Sequence, residues 1–351
     1  MRTCILLSVF VALFEASTVF ADQLDEQMFR GPPPFYQEAF TEASKVIEAM
    51  AISGDARSLD RLHLIFETYP EWRHIVAVVI ANYSQTERRR SQDWRLLVRS
   101  LAVVEGKDAR IVMRALLRFH QRSTKPRWQR QVIVLGLQLG DEGSQDAISL
   151  LEHWTTHNLR KPNDPWKTAI EKWQAWFAKT YPDQPAAKLP QLSPETKWQY
   201  DPLCKFLSSR EGWQGDVERG KLVFEKADCH KCHRFGDRGE PLGPDLTQIS
   251  GRMQRKEILH AILFPSELVP DQYLTYSVIT TDGRTFTGIV GRSGSNNVVI
   301  LQANGLKVTI KTDEIDELVL SKQSAMPAGT LERLTKMEIA DLFAYLRSRS
   351  D

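Results

Sequence analysis

Cys229-His230-Lys231-Cys232-His233 is a C-x-x-C-H motif, the spacing at which c-type haem is attached. The chemistry requires that spacing. Two thiols add across the two vinyl groups on one edge of a porphyrin, and the adjacent histidine is carried beneath the ring to ligate iron. From this chain's composition the pattern arises by chance on the order of once in a thousand chains of this length. Other chemistry is open to the same residues. Cys204, Cys229, Cys232 and His233 make a Cys₃His zinc set by ligand count, and the Cys-x-x-Cys pair alone suits a redox pair or a disulfide. An iron-sulfur cluster wants four thiolates. Neither zinc nor disulfide explains the histidine that follows at once, so the expected cofactor is haem c, one per chain, attached through Cys229 and Cys232.

The flanking segments supply what such a site needs, in the order in which class I cytochromes c carry it. Asp216 to Lys226 reads as a capped helix in which Gly220 allows close approach and Phe224 packs. Gly243-Pro244-Asp245-Leu246 begins ten residues after the histidine. The Pro244 carbonyl is placed to accept a hydrogen bond from the second ring nitrogen of His233, which would fix the ring's orientation, and Leu246 would face the haem. Met326-Pro327 precedes a last helix, Met337 to Arg347, whose Leu342, Tyr345 and Leu346 should cross the first helix near Gly220. The iron ligands are therefore expected to be His233 and Met326. Met253 and Met337 fall inside predicted helices and read as core or surface residues, and His260 sits on the amphipathic stretch Ile258 to Leu263; an open or histidine-ligated iron is the alternative.

His233 and Met326 are 93 residues apart, a long interval for a small cytochrome, and an insertion explains it. From Tyr276 to Leu320 the pattern changes to period two, with YSVIT, TFTGIV, VVIL and LKVTI separated by Asp282-Gly283 and Asn304-Gly305, both hairpin turn signals. Four or five short strands are expected over 275–320, forming a small β-barrel or curled sheet.

The rest of the chain must position this unit. Its 351 residues, 42% hydrophobic, suit two domains with separate cores. A net charge of +2 does not favour nucleic acid, whose binders carry a basic excess. From 35 to 181 apolar residues recur at three- and four-residue steps, as in Leu96, Leu97, Leu101 and Val104, with breaks at Gly54-Asp55, Gly106-Lys107-Asp108 and Gly140-Asp141. Residues 132–154 have the form of a HEAT-type helical hairpin, and an α-solenoid-like stack is expected. Arg88-Arg89-Arg90 reads as a solvated helix end, and Trp166, Trp173 and Trp176 read as core. Prolines 182, 185, 190 and 194 mark a linker, taken as 182–214. The fold expected is thus mainly α, with the cytochrome unit at 215–351.

The first 21 residues read as a cleaved export signal: a basic start, the apolar run Ile5 to Phe14, and Val19-Phe20-Ala21 before Asp22. Ten apolar residues are too few to span a bilayer, so no stable membrane span is expected after cleavage. Cleavage removes Cys4 and leaves three cysteines, of which Cys204 would be unpaired.

Residues 216–348 closely resemble the haem-binding cytochrome c domain of the Pirellula/Verrucomicrobium type. The likeness is carried by CHKCHRFGDRGEPLGPDLTQISGR, EILHAILFPSELVPDQY, TTDGRTFTGIV and SAMPAGTLERLTKMEIADLFAYL. In that family the domain often follows helical repeats and a dehydrogenase-like propeller, and this chain has no sign of a propeller. The resemblance implies Arg252 and Tyr273 as contacts of the haem edge. The function expected is an exported electron carrier, periplasmic or secreted, working with a redox partner such as a periplasmic dehydrogenase. The alternatives are a haem-bearing dehydrogenase subunit, a peroxidase-like enzyme, or a zinc-stapled interaction module.

Overall fold

The computed structural model describes residues 37–348 except 84–89, 193–195, 268, 304 and 322. The signal segment, Cys4, Arg88, Arg89 and Asn304 lie outside the described residues. What is described is mainly α-helical with one five-stranded antiparallel sheet, and no helix among the described residues is long and apolar enough to cross a membrane.

Seven helices come first: α1 Gln37–Ser53, α2 Ala56–Thr68, α3 Arg73–Tyr83, α4 Ser91–Ser100, α5 Gly106–Leu116, α6 Pro126–Thr155 and α7 Trp166–Thr180. Each packs on the next, and α1, α3 and α5 also pack in series. Contacts thus run between near neighbours in the chain, as in stacked helical hairpins. Asp55 caps α2 by accepting from the Ser58 amide at 2.9 Å. Gly106 behaves otherwise than the break pattern suggested, since it opens α5 rather than closing the helix before it.

Helix α6 contains a reversal at Gly140, whose φ of 58° and ψ of −139° are not helical. Eleven residues of straight helix would separate Gly136 from Ala147 by about 16 Å. Instead a Cβ built on Gly136 would lie 3.0 Å from the Ala147 methyl. The arms 126–139 and 141–155 therefore fold against each other, and glycine permits the positive φ at the bend. Trp173, Phe66 and Phe177 are fully buried in this core, with Trp166 and Trp176 packed against it. Each phenylalanine contributes about 1.5–3 kcal/mol. The buried Asp93 carboxylate is paired with His63 at 2.7 Å.

The stretch expected to be a linker over 182–214 is only partly one. Helix α8, Tyr200–Leu207, and the single turn α9, Arg210–Trp213, occupy its second half. Leu203, Phe206 and Leu207 enter the second core with Val223, Phe224, Leu342 and Phe343. After Pro194 the next proline, Pro202, falls in the first turn of α8, where its missing amide costs no helical bond, and apolar residues at three- and four-residue steps are enough to dock the helix. Helix α10, Val217–Lys226, α11, Arg255–Leu263, and α12, Lys336–Arg347, complete this unit.

Between α11 and α12 lie β1 Thr275–Thr280, β2 Thr285–Ser293, β3 Asn297–Leu301, β4 Lys307–Lys311 and β5 Ile315–Leu320. Their order is β4-β3-β2-β1-β5, all antiparallel, with Val278 opposite both Phe286 and Leu318. Strands β4 and β5 are its edges, so the insert is an open sheet rather than a closed barrel. Val278, Ile300 and Ile310 are buried on its apolar face.

The start of α11 plugs into the helical stack. Buried Gln254 donates to the Pro70 carbonyl at 2.6 Å, Lys256 donates to the Val103 carbonyl at 3.0 Å and to Glu105 at 2.7 Å, and Arg73 donates to the Arg252 carbonyl at 2.7 Å. His74 lies near this seam. Burial holds its imidazole below the usual histidine range, and the Lys256 charge adds to that against the opposing pull of Asp108 and Glu105. A histidine lowered in the fold takes up its proton first in the unfolded chain, so its contribution is complete above about pH 6.5 and is lost as pH falls through the folded value. Denaturant unfolding of His74→Gln should therefore gain on the parent protein progressively below pH 6.5. A stability difference that does not change with pH would exclude this role.

Candidate cofactor-binding site

Helices α10 and α12 form the frame of the site. Asp216 caps α10 by accepting from the Arg219 amide at 2.8 Å, and Thr335 and Glu338 form a reciprocal capping box on α12. The two helices cross where Gly220 meets the Asp341 carbonyl and Tyr345. A Cβ there would stand 2.0 Å from that oxygen, so Gly220→Ala should lower stability by about 1–3 kcal/mol or more, read as a lower denaturant midpoint; an unchanged midpoint would rule out the tight crossing. The Asp341 carboxylate, almost wholly buried, accepts from the Asp216 amide at 2.7 Å and from Arg219 at 2.8 and 2.9 Å. Sequence reasoning passed over Asp341. Its signal was a charge inside the apolar run Ile339-Ala340-Asp341-Leu342. Phe224, Phe235 and Tyr345 pack as one aromatic cluster beside the crossing, with the last two ring centres 4.4 Å apart.

After α10 the chain turns through Asp228, at a φ of 61°, into a 3₁₀ turn over Cys229–Lys231. The His233 amide donates to the Cys229 carbonyl at 2.9 Å, which folds Cys229, Cys232 and His233 onto one short loop. Both thiols are free. Burial pushes Cys229 up to about 12 and raises Cys232 as well. A redox Cys-x-x-Cys pair works through a thiolate with a lowered pKa, and the direction here is the opposite. Among the described residues no three His, Cys, Asp or Glu side chains converge as they would around a metal ion, so Cys204 does not complete a Cys₃His set. It lies on α8, packed against the second core, and burial raises its thiol.

The loop that follows wraps back over the motif. Leu242 and Gly243 donate to the Cys232 carbonyl at 3.1 and 2.6 Å, and Leu246 donates to the Arg234 carbonyl at 2.8 Å. Gly243 lies flat against the imidazole: a Cβ there would be 2.8 Å from His233 Cε1. His233 Nδ1 is 2.8 Å from the Pro244 carbonyl. A carbonyl oxygen only accepts, so Nδ1 carries the proton and donates, which leaves the lone pair on Nε2. Burial lowers the His233 pKa further than the Pro244 bond raises it, so the ring is neutral and fit to ligate. Free thiols three residues apart, a backbone cradle with no room for a side chain, and an oriented imidazole with Nε2 unused together fit a covalently attached haem.

Cys229, Cys232, His233 and Pro244 are brought together by local backbone, whereas Met326 lies on a separate segment between β5 and α12. It is half-buried, and its amide donates to Ser324 Oγ at 3.1 Å. Met253 lies just before α11 rather than inside a helix, because Gln254 and Glu257 cap the helix after it, and it packs against the second core. Met337 is exposed on α12. His260 lies edge-on to Tyr200, with ring centres 5.6 Å apart. Leu246 packs against the second core. Arg252 donates to the Asp245 carbonyl, next to Pro244, and Tyr273 falls in a short 3₁₀ turn before β1. The tip of the β3–β4 hairpin reaches the motif itself, since a Cβ on Gly305 would lie 3.8 Å from the Lys231 carbonyl.

Helix α10 thus crosses α12 and runs into a loop that carries two thiols and a cradled imidazole. The sequence model of the cytochrome c family matches residues 217–267, from the first residue of α10 to the turn after α11, which supports a cytochrome c domain there. No curated protein matches the chain.

Proposed function

We propose that this protein is an exported c-type cytochrome that passes single electrons between redox partners, one of them a periplasmic dehydrogenase. The observation that carries the reading is the His233 ring, held by the Pro244 carbonyl and the Gly243 backbone with Nε2 unused, one residue beyond two free thiols. Cys229 and Cys232 would hold one haem c covalently, with His233 and Met326 as axial ligands. Bound there, the group supplies a one-electron ferric–ferrous couple, and a methionine thioether raises its potential. The chain's own part is to orient the imidazole, bury the ring against Leu246 and the second core, and present an edge to a partner. Nδ1 keeps its proton and donates it to the Pro244 carbonyl, a bond that keeps the histidine basic.

With His233 and Met326 both holding the iron, substrate would find no open position there, which favours a carrier over a peroxidase-like enzyme. Carbon monoxide added to the reduced protein should leave the visible spectrum unchanged. A carbonyl spectrum that forms at once would instead support the enzymatic alternative. Export rests on the pattern of Met1 to Ala21, and the mature chain should begin at Asp22. The N-terminal helices, read as a HEAT-like stack, would offer the partner a docking surface.

A further inference from the structure

The methionine loop is tied to the helical stack through a chain of polar contacts. Arg130, on the first arm of α6, has a side chain only 5% exposed. Its Nε donates to the Pro185 and Ala186 carbonyls at 3.2 and 3.0 Å, and its Nη2 is paired with the Glu267 carboxylate. A buried guanidinium needs such partners, because an unpaired charge in that place is costly. Glu267 ends the turn after α11, where its amide donates to the Phe264 carbonyl at 3.0 Å. Its neighbour Ser266 accepts from the Ser324 amide at 3.0 Å, and Ser324 Oγ accepts from the Met326 amide at 3.1 Å. On the other flank the loop is held by the sheet, where Ser321 donates to the Thr275 carbonyl at 2.8 Å and Thr275 Oγ1 donates to the Gln323 carbonyl.

A cavity of about 220 Å³ adjoins the same turn, between Lys188, Gln191 and Ala328. The turn is therefore open on that side, where polar contacts tie Ser266 and Glu267, while Phe264 before it packs against the second core. Loops secured in this way open locally at low cost.

We propose that Arg130 is a positioning residue for Met326: through Glu267 and Ser266, the helical stack sets where the methionine loop sits and how tightly the thioether is held. This rests on the reading of Met326 as axial ligand. Nothing in the local sequence of the cytochrome unit requires the N-terminal helices, yet through Arg130 they are paired with Glu267, 137 residues away.

The test uses the full-length haem protein in its ferric form and measures the affinity of added imidazole, which competes with the methionine for iron. Arg130→Met, Glu267→Gln and Ser266→Ala should each raise that affinity about three- to tenfold, the scale of one hydrogen bond. The Ser324 and Met326 amides should exchange faster in the same variants. Arg130→Lys, which keeps the ion pair, should stay close to the parent. If the route runs through Ser266, Arg130→Met adds little in a Ser266→Ala background. Ser266→Ala removes only a hydroxyl and serves where Arg130→Met does not fold. Unchanged imidazole affinity in Ser266→Ala and Glu267→Gln would overturn the proposal, as would a fall in the unfolding midpoint as the only effect of Arg130→Met. Met326→Ala is the control: if it changes imidazole affinity while the other three variants do not, this proposal fails and the ligand assignment stands, whereas no change in Met326→Ala removes the ligand assignment itself.

Discussion

Replacing Cys229 and Cys232 together by alanine should abolish haem staining of this protein on a denaturing gel, from full intensity to background. Denaturation releases a group held only by His233 and Met326, because coordination depends on the folded loops. Thioether bonds survive it. Each single variant keeps one such bond and should retain a weaker stain, whereas His233→Ala should keep the stain and change the spectrum. The two positions are not equivalent in the fold. Cys229 packs against the second core, and its thiol is pushed up to about 12, while Cys232 does not pack there. Cys229→Ala should therefore also lower the unfolding midpoint, by no more than about 1–2 kcal/mol for a small buried side chain. A stain that persists in the double variant would refute covalent attachment at these residues. A parent protein that never stains, but binds one zinc, would return the site to the zinc-module alternative.

Met326→Ala should lower the midpoint potential by on the order of 0.1 V or more, within the span of about 0.8 V that axial ligands command. A thioether favours ferrous iron, and the water or hydroxide that takes its place favours ferric. The long-wavelength charge-transfer band of methionine-ligated ferric haem should vanish in the same variant, and carbon monoxide should then bind the reduced form. Potentiometric titration with optical detection follows both changes in one sample. If potential and band are those of the parent, Met326 is not the ligand, and Met253, half-buried against the second core, becomes the residue to replace.

The features legible in the sequence are those that short-range chemistry fixes. Asp216 caps its helix because a side-chain oxygen three residues from a bare amide has few other geometries to adopt. The hydrogen bond from His233 to the Pro244 carbonyl spans eleven residues of one loop, and the reversal at Gly140 needs only a residue that tolerates positive φ. Alternation with turn residues was sufficient for the strands, though β5, where Glu317, Leu318 and Val319 are all exposed, lacked the alternation that marked the others. Helix α8 was not legible because it is only eight residues long and carries Pro202 in its first turn, so a linker-like run of prolines continues into it.

By itself, then, the sequence determined the haem-type motif, the helices and caps around it, and the inserted strands, since each depends on residues close together in the chain. Only the tertiary structure decided that the helical stack and the cytochrome unit share a seam. Gln254 and Pro70 are 184 residues apart, Arg130 and Glu267 are 137 apart, and no local pattern pairs them. Loop closure over such distances costs little more than over short ones, so the partner is selected by which buried polar groups find a complement once both cores have formed. For this reason the motif was legible at its own five residues, while the contact that ties the methionine loop to the N-terminal helices emerged only once the chain was folded.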